Sequence, residues 1–235
     1  EWHGISYEKP LRRMREYVTA LRALRGAGLG SPVSFDGEVF HIKDYVRFNG
    51  PLLNPPPTLL AVTRLGMARL AGEIADGACC NTMVSNEYAR QIILPAIAEG
   101  AESAGASLAD RHVLVCPITA VADTTEEAMR RARHQLGFYA GLVPYFDDVA
   151  RFAGHYDAVM AAKAAFWTNP HEAISLLPDD LVEKLTVFGT PDEVRDKVKR
   201  YEGWADEISL VTPSFMLEPG AISEGYDAII DAFKR

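Results

Sequence analysis

Cysteine is scarce in this sequence: Cys79, Cys80 and Cys116 are the only three in 235 residues. Neighbours in a strand point to opposite faces, so Cys79 and Cys80 suit neither a disulfide framework nor a metal knuckle. That usage is expected of a reducing cytoplasm. No apolar run approaches the roughly 18 residues that span a bilayer, so no membrane role is expected. Basic charge is in deficit, with 24 Lys and Arg against 32 Asp and Glu and a formal charge of −8. Such a chain repels polyanions, and nucleic acid is not an expected partner. The 18 Gly and 14 Pro are too few for a low-complexity chain. Walker loops, nucleophile elbows and HExxH are lacking. His3, His41, His112, His134, His155 and His171 include no i, i+4 pair, so no metal site is expected.

What the chain does contain is a strand and helix alternation. Leu11, Met14, Val18, Leu21 and Leu24 recur at helical spacing behind Pro10, which suits a first turn, and before Gly26, which suits a stop. A short hairpin around Asp36-Gly37 and a crossing rich in proline (Pro51, Pro55, Pro56, Pro57) form an excursion from the core. Buried strands are then expected at Thr58 to Thr63, Gly77 to Met83, His112 to Val121 and Ile208 to Thr212. Helices are expected from Leu65 to Ala75 and from Asn86 to Ala104, the latter capped by Ser85. A capping box is expected at Thr124/Glu127, and Gly189 to Glu193 open a later helix with a cap, Pro191 and an acidic first turn together. Residues 142–185 are helical and aromatic, without a strand, and form an insertion before the last strand and helix. Alternating strands and helices mean a parallel sheet in a single domain. Four strands with this spacing amount to half of a (β/α)₈ barrel.

Several features have plain structural readings. Gly26, Gly28 and Gly30 follow a helix instead of a strand, so they read as a flexible stop and not a dinucleotide loop. Asp147-Asp148 and Asp179-Asp180 sit at helix starts, where carboxylates complement the backbone dipole. Arg130, Arg131 and Arg133 read as a solvated helix face. Cys79, Cys80 and Asn81 end a parallel strand, where they either line a pocket or simply pack. The most informative segment is Thr63, Arg64, Leu65 and Gly66, which joins the carboxyl end of a buried strand to a helix start. Free N–H groups, the Thr63 hydroxyl and the Arg64 guanidinium there are able to hold a phosphate.

Three runs resemble a known family. They are Trp2-His3-Gly4 with Tyr7 to Leu11 and Arg15 to Val18, then Leu70 to Gly77, then Val187 to Val194. In this order and spacing they resemble the luciferase-like flavin oxidoreductases, most closely the branch dependent on the deazaflavin F420. The resemblance implies a (β/α)₈ TIM-type barrel with a helical insertion after strand seven, and makes the four expected strands the family's strands five to eight. Strands one to four are then expected before Glu1, about a hundred residues at some 30 per unit. The N-terminus, without Met or a leader pattern, also reads as a beginning in mid-protein.

By the same resemblance the cofactor's phosphate loop falls on Thr63, Arg64, Leu65 and Gly66. Many relatives have Gly-Pro where this chain has Arg64-Leu65, so the Arg either adds a charged contact or blocks the loop. Trp2 and His3 match a loop at the catalytic face. The family's acid and base residues lie on the first four strands, so no catalytic residue is assigned. The implied activity is hydride transfer between F420 and a small organic substrate. The alternatives are an FMN-dependent monooxygenase and, from another class, a non-catalytic flavoprotein or interaction remnant. An open half-barrel exposes a strand edge and the barrel interior, so a further segment or a homodimer is expected.

Overall fold

Local signals place the first helix and the excursion as the sequence implies. In the computed structural model, which describes residues 8–143 and 145–234, α1 spans Pro10–Leu24 with Pro10 in its first turn. The motif residues Trp2, His3, Gly4 and Tyr7 lie outside the described residues. Strands β1 (Val33–Asp36) and β2 (His41–Tyr45) pair antiparallel around the Asp36-Gly37 turn. Glu16 of α1 holds that turn by accepting the N–H groups of Glu38, Val39 and Phe40. Its carboxyl is lowered, chiefly by the Val39 bond.

The core is a parallel sheet in the order β3 (Leu59–Val62), β4 (Gly77–Cys80), β5 (His112–Val115) and β8 (Glu207–Ile208). These are the four expected strands, and every pair is parallel. Leu60, Val62, Ala78, Cys80, Val113 and Val115 point to the helix side and are buried. Alternation turns Ala61, Cys79 and Leu114 to the other face, where they are level across three strands and partly exposed. Helix α2 (Leu65–Ile74) returns along this sheet and packs on α4 (Leu94–Ser103). The approach is set by two glycines: a Cβ on Gly72 would overlap the Ile97 carbonyl, and one on Gly100 would overlap that of Arg69. Arg15 of α1 clamps α2 through a bidentate pair with Glu73, at 2.6 and 2.5 Å.

Four expectations need correction. The single strand from His112 to Val121 is two, because the chain changes partners at Pro117, which has no N–H to donate. Strand β6 (Ile118–Val121) leaves the main sheet and pairs in parallel with β7 (Thr186–Gly189), a buried strand absent from the sequence reading. The last strand is shorter than Ile208 to Thr212. Beyond Ile208 only Val211 bridges, to Ile118. Finally, the helix from Asn86 begins as α3 (Asn86–Tyr88), passes through a π-helical turn at Ala89–Ile93, and becomes regular α-helix only at Leu94, next to Pro95.

Between β6 and β7 lie α5 (Thr125–Leu142), α6 (Asp147–Ala153), α7 (Tyr156–Ala165), α8 (Pro170–Ser175) and α9 (Asp179–Leu185). The insertion is helical, as expected, but β7 and α10 (Pro191–Val198) separate it from the last strand. Helix α11 (Pro219–Phe233), which the sequence reading does not contain, closes the chain. The Arg130, Arg131 and Arg133 run is a salt-bridged face, paired with Glu127, Glu224 and Asp179.

Candidate cofactor site

Helix starts that follow strand ends differ in how their first N–H groups are satisfied. Ser85 accepts from Tyr88 N at the start of α3, Thr124 from Glu127 N at α5, and Thr190 from Glu193 N at α10. At α2 the N-cap is Arg64, in extended conformation with no side-chain cap, and the first turn has no acidic residue. The leading N–H groups of a helix need an acceptor, and their dipole favours an anion. Thr63, half-buried between β3 and α2, finds no hydrogen-bond partner for its hydroxyl among the described residues. Gly66 allows close packing beneath the turn, since a Cβ there would lie 3.1 Å from Leu11 of α1. Thr63, Leu65 and Gly66 thus form a turn whose hydroxyl and leading N–H groups are left as open donors.

Arg64, the remaining residue of the expected loop, makes its contacts with the insertion. Its Nε lies 3.4 Å from Asp148 Oδ2, and its guanidinium stacks over the Tyr145 ring at 5.0 Å. Both partners belong to the insertion. These contacts tie the β3–α2 connection to the start of α6. An exposed ion pair and a cation–π contact of this kind are each worth up to about 1 kcal/mol.

The sheet face beside Thr63 continues through Asn81, whose N–H bonds Val62 O at 3.0 Å, and Cys116, just past the end of β5. Asn81 Oδ1 accepts from Met83 N at 3.1 Å and shapes the turn after β4. On the helix side Tyr88 is buried against Phe152 of α6, with ring centroids 5.3 Å apart. Burial, with Asp148 beside it, raises the Tyr88 hydroxyl above its ordinary range, against a smaller lowering by Arg64. Tyr145 and Asp148, the residues that meet Arg64, are missed by sequence reasoning. Asp148 carried only the signal of a helix-start carboxylate, and that signal does not disclose a distant partner. No helix among the described residues is long and apolar enough to cross a membrane.

The chain is similar to proteins of several activities. An uncharacterized protein of Mycobacterium tuberculosis is 30% identical over 245 aligned positions, which cover 99% of this chain and 69% of that protein. The 5,10-methylenetetrahydromethanopterin reductase of Archaeoglobus fulgidus is 28% identical, over 83% of this chain and 58% of its own length. Among solved structures, the coenzyme F420-dependent tetrahydromethanopterin reductase of Methanopyrus kandleri superposes with a TM-score of 0.76 at 22% identity, covering 96% of this chain and 64% of that one. The FMN complex of the 3,6-diketocamphane monooxygenase component from Pseudomonas putida superposes at 0.58 and 18% identity, covering 92% and 60%. This chain thus spans about two thirds of the length of the proteins it matches. The family model of the luciferase-like monooxygenases matches residues 1–207, and the chain belongs to that family, with its luciferase-like (β/α)₈ barrel fold.

Proposed function

We propose that the chain serves an F420-dependent oxidoreductase, transferring a hydride between the deazaflavin and a small organic substrate, with the cofactor's phosphate at the turn from Thr63 to Gly66. The observation that carries this is the uncapped, acid-free start of α2 beside an unpartnered Thr63 hydroxyl. The coenzyme F420 dependence of the Methanopyrus reductase, whose fold this chain shares, supports the deazaflavin over FMN. The deazaflavin ring supplies the hydride chemistry. Thr63 donates its hydroxyl proton to a phosphate oxygen, Leu65 and Gly66 donate backbone N–H groups, and Arg64 fixes the insertion beside them.

Titration of the protein with F420 and with FMN, read by cofactor fluorescence, tests the assignment. Micromolar or tighter F420 binding is expected, and Thr63→Val is expected to weaken it by about 1 to 3 kcal/mol, the scale of a lost hydrogen bond to a charged group. An unchanged dissociation constant would remove Thr63 from the site.

A second reading, an FMN-dependent monooxygenase, is favoured by the diketocamphane enzyme's FMN complex. Reduced FMN activates dioxygen and deazaflavins do so poorly, so oxygen uptake during turnover separates the two. Binding without any turnover would favour a non-catalytic flavoprotein. A homodimer is part of the leading proposal, because β3 and β8 each pair on one side only among the described residues. Sedimentation showing a 25.8 kDa monomer would remove it.

A further inference from the structure

The sheet face that carries Thr63 also carries two half-buried thiols. Cys79 lies within β4 and Cys116 just past the end of β5, with their Sγ atoms 3.5 Å apart. Cys80 points to the opposite face, is buried in the core, and cannot join them.

Strand register decides between a disulfide and a bridging ion. Cys79 is level with Leu114, two residues before Cys116. Two residues along a parallel ladder at about 3.3 Å each, and one strand spacing of about 4.8 Å across it, put such diagonal backbone centres about 8 Å apart, beyond the span of roughly 4.4 to 6.8 Å that a disulfide accepts. Closing an S–S bond would move backbone in two strands that β3 and β8 hold from either side. Seating an ion between the sulfurs needs only rotation of two side chains.

We propose that Cys79 and Cys116 form a two-thiolate site for a soft monovalent cation of the copper(I) or silver(I) class. Thiolate sulfur selects soft ions. Among the described residues no group of three or more His, Cys, Asp or Glu side chains is placed to hold a metal, so zinc and calcium, which take four or more ligands, are poorly served. Ions content with two sulfurs are not. On binding, both S–H bonds break and both protons pass to solvent, two sulfur–metal bonds form, and no electron is transferred. The cation offsets one of the two thiolate charges.

The test uses the reduced 235-residue protein in chloride-free buffer with silver(I) as probe. Bound silver is measured by mass spectrometry after desalting, and thiol accessibility by native alkylation with N-ethylmaleimide. One silver per chain is expected, with alkylation of Cys79 and Cys116 slowed together by at least about tenfold, and no protection by zinc at the same concentration. Cys79→Ser and Cys116→Ser are each expected to lose the silver, and Cys80→Ser to keep it. Full silver in either of the first two variants, loss in the third, or protection of one thiol without the other would overturn the proposal. So would loss of the mass of two hydrogens in air with Cys79 and Cys116 found linked, since the register argument would then be wrong. Protection in the unsubstituted chain does not depend on any variant folding, and circular dichroism checks the three that are made.

Discussion

At the start of α10, Thr190 caps Glu193 N, Glu193 returns its carboxylate to Thr190 N at 2.7 Å, Pro191 fills the first position and Asp192 adds a second negative charge. At the start of α2, Arg64 caps nothing, no acid stands in the first turn, and Leu65 is 47% exposed. The Thr190 bond is the largest cause of Glu193's lowered carboxyl, so α10 has its positive end neutralised from within. Helix α2 is held instead from its middle, by the Gly72 and Gly100 contact with α4 and by Arg15 on Glu73. A helix anchored along its length can leave its dipole end open to an anion, while one stabilised at its end has nothing left to offer.

Breaking the anchor should have the largest effect. Gly72→Ala forces α2 and α4 apart and is expected to cost about 3 kcal/mol, the upper range for overpacking, read as a lower urea midpoint. Equal midpoints would mean that α2 is held elsewhere. Next, Leu65→Glu gives α2 the acidic first turn that α10 has. The exposed position tolerates it, the helix gains about 0.3 to 1 kcal/mol, and F420 affinity falls by at least about tenfold through repulsion of the phosphate. Unchanged affinity would place the phosphate away from this turn. Thr190→Ala removes the reciprocal cap at α10 and is expected to cost about 1 kcal/mol with F420 binding unaltered.

The smallest effect lies at α5, which is intermediate between the two. Thr124 caps Glu127 N, but the Glu127 carboxylate turns to Arg130 and Arg131 instead of completing the expected box. The Arg130 bond is the largest cause that brings its carboxyl down to about 2, from an ordinary 4.5. A carboxyl lowered by folding stabilises above its unfolded pKa, and the contribution fades as pH falls from about 4.5 toward about 2. Because the side chain is 35% exposed, solvent screening keeps this below about 1 kcal/mol. Acid titration of Glu127→Gln should show a slightly flatter loss of stability in that window, and identical curves would show that the pair contributes nothing.

Much of this architecture was legible from local chemistry. Pro10 with its apolar series marked α1, Ser85 marked α3, and Thr190 with Glu193 marked α10, because each signal acts within one turn. The turn from Thr63 to Gly66 was legible as a strand end meeting a helix start. Strand β7 was hidden because its four residues adjoin α9 with no turn residue between them. The break at Pro117 was hidden because the apolar run continues on both sides of it. Helix α11 leaves Tyr226 and Ile230 more than half exposed, so its periodic face is weak. The direction of Arg64 was least legible of all, since its partners Tyr145 and Asp148 follow three further strands.

The change of partners at Pro117 also decides what the fold tolerates. The ladder of β3, β4, β5 and β8 is complete without the inserted helices, which enter through β6 and leave through β7, two strands that pair with each other and, among the described residues, bridge from Ile118 to Val211 just beyond β8. Residues added or lost in the connections between α7, α8 and α9 therefore lengthen or shorten a closed side excursion, at a chain-entropy cost that grows only with the logarithm of its length. The register of the main sheet does not run through that segment, so its far helices are free to diversify while the start of α6, tied to the β3–α2 connection by Arg64, moves only with the site.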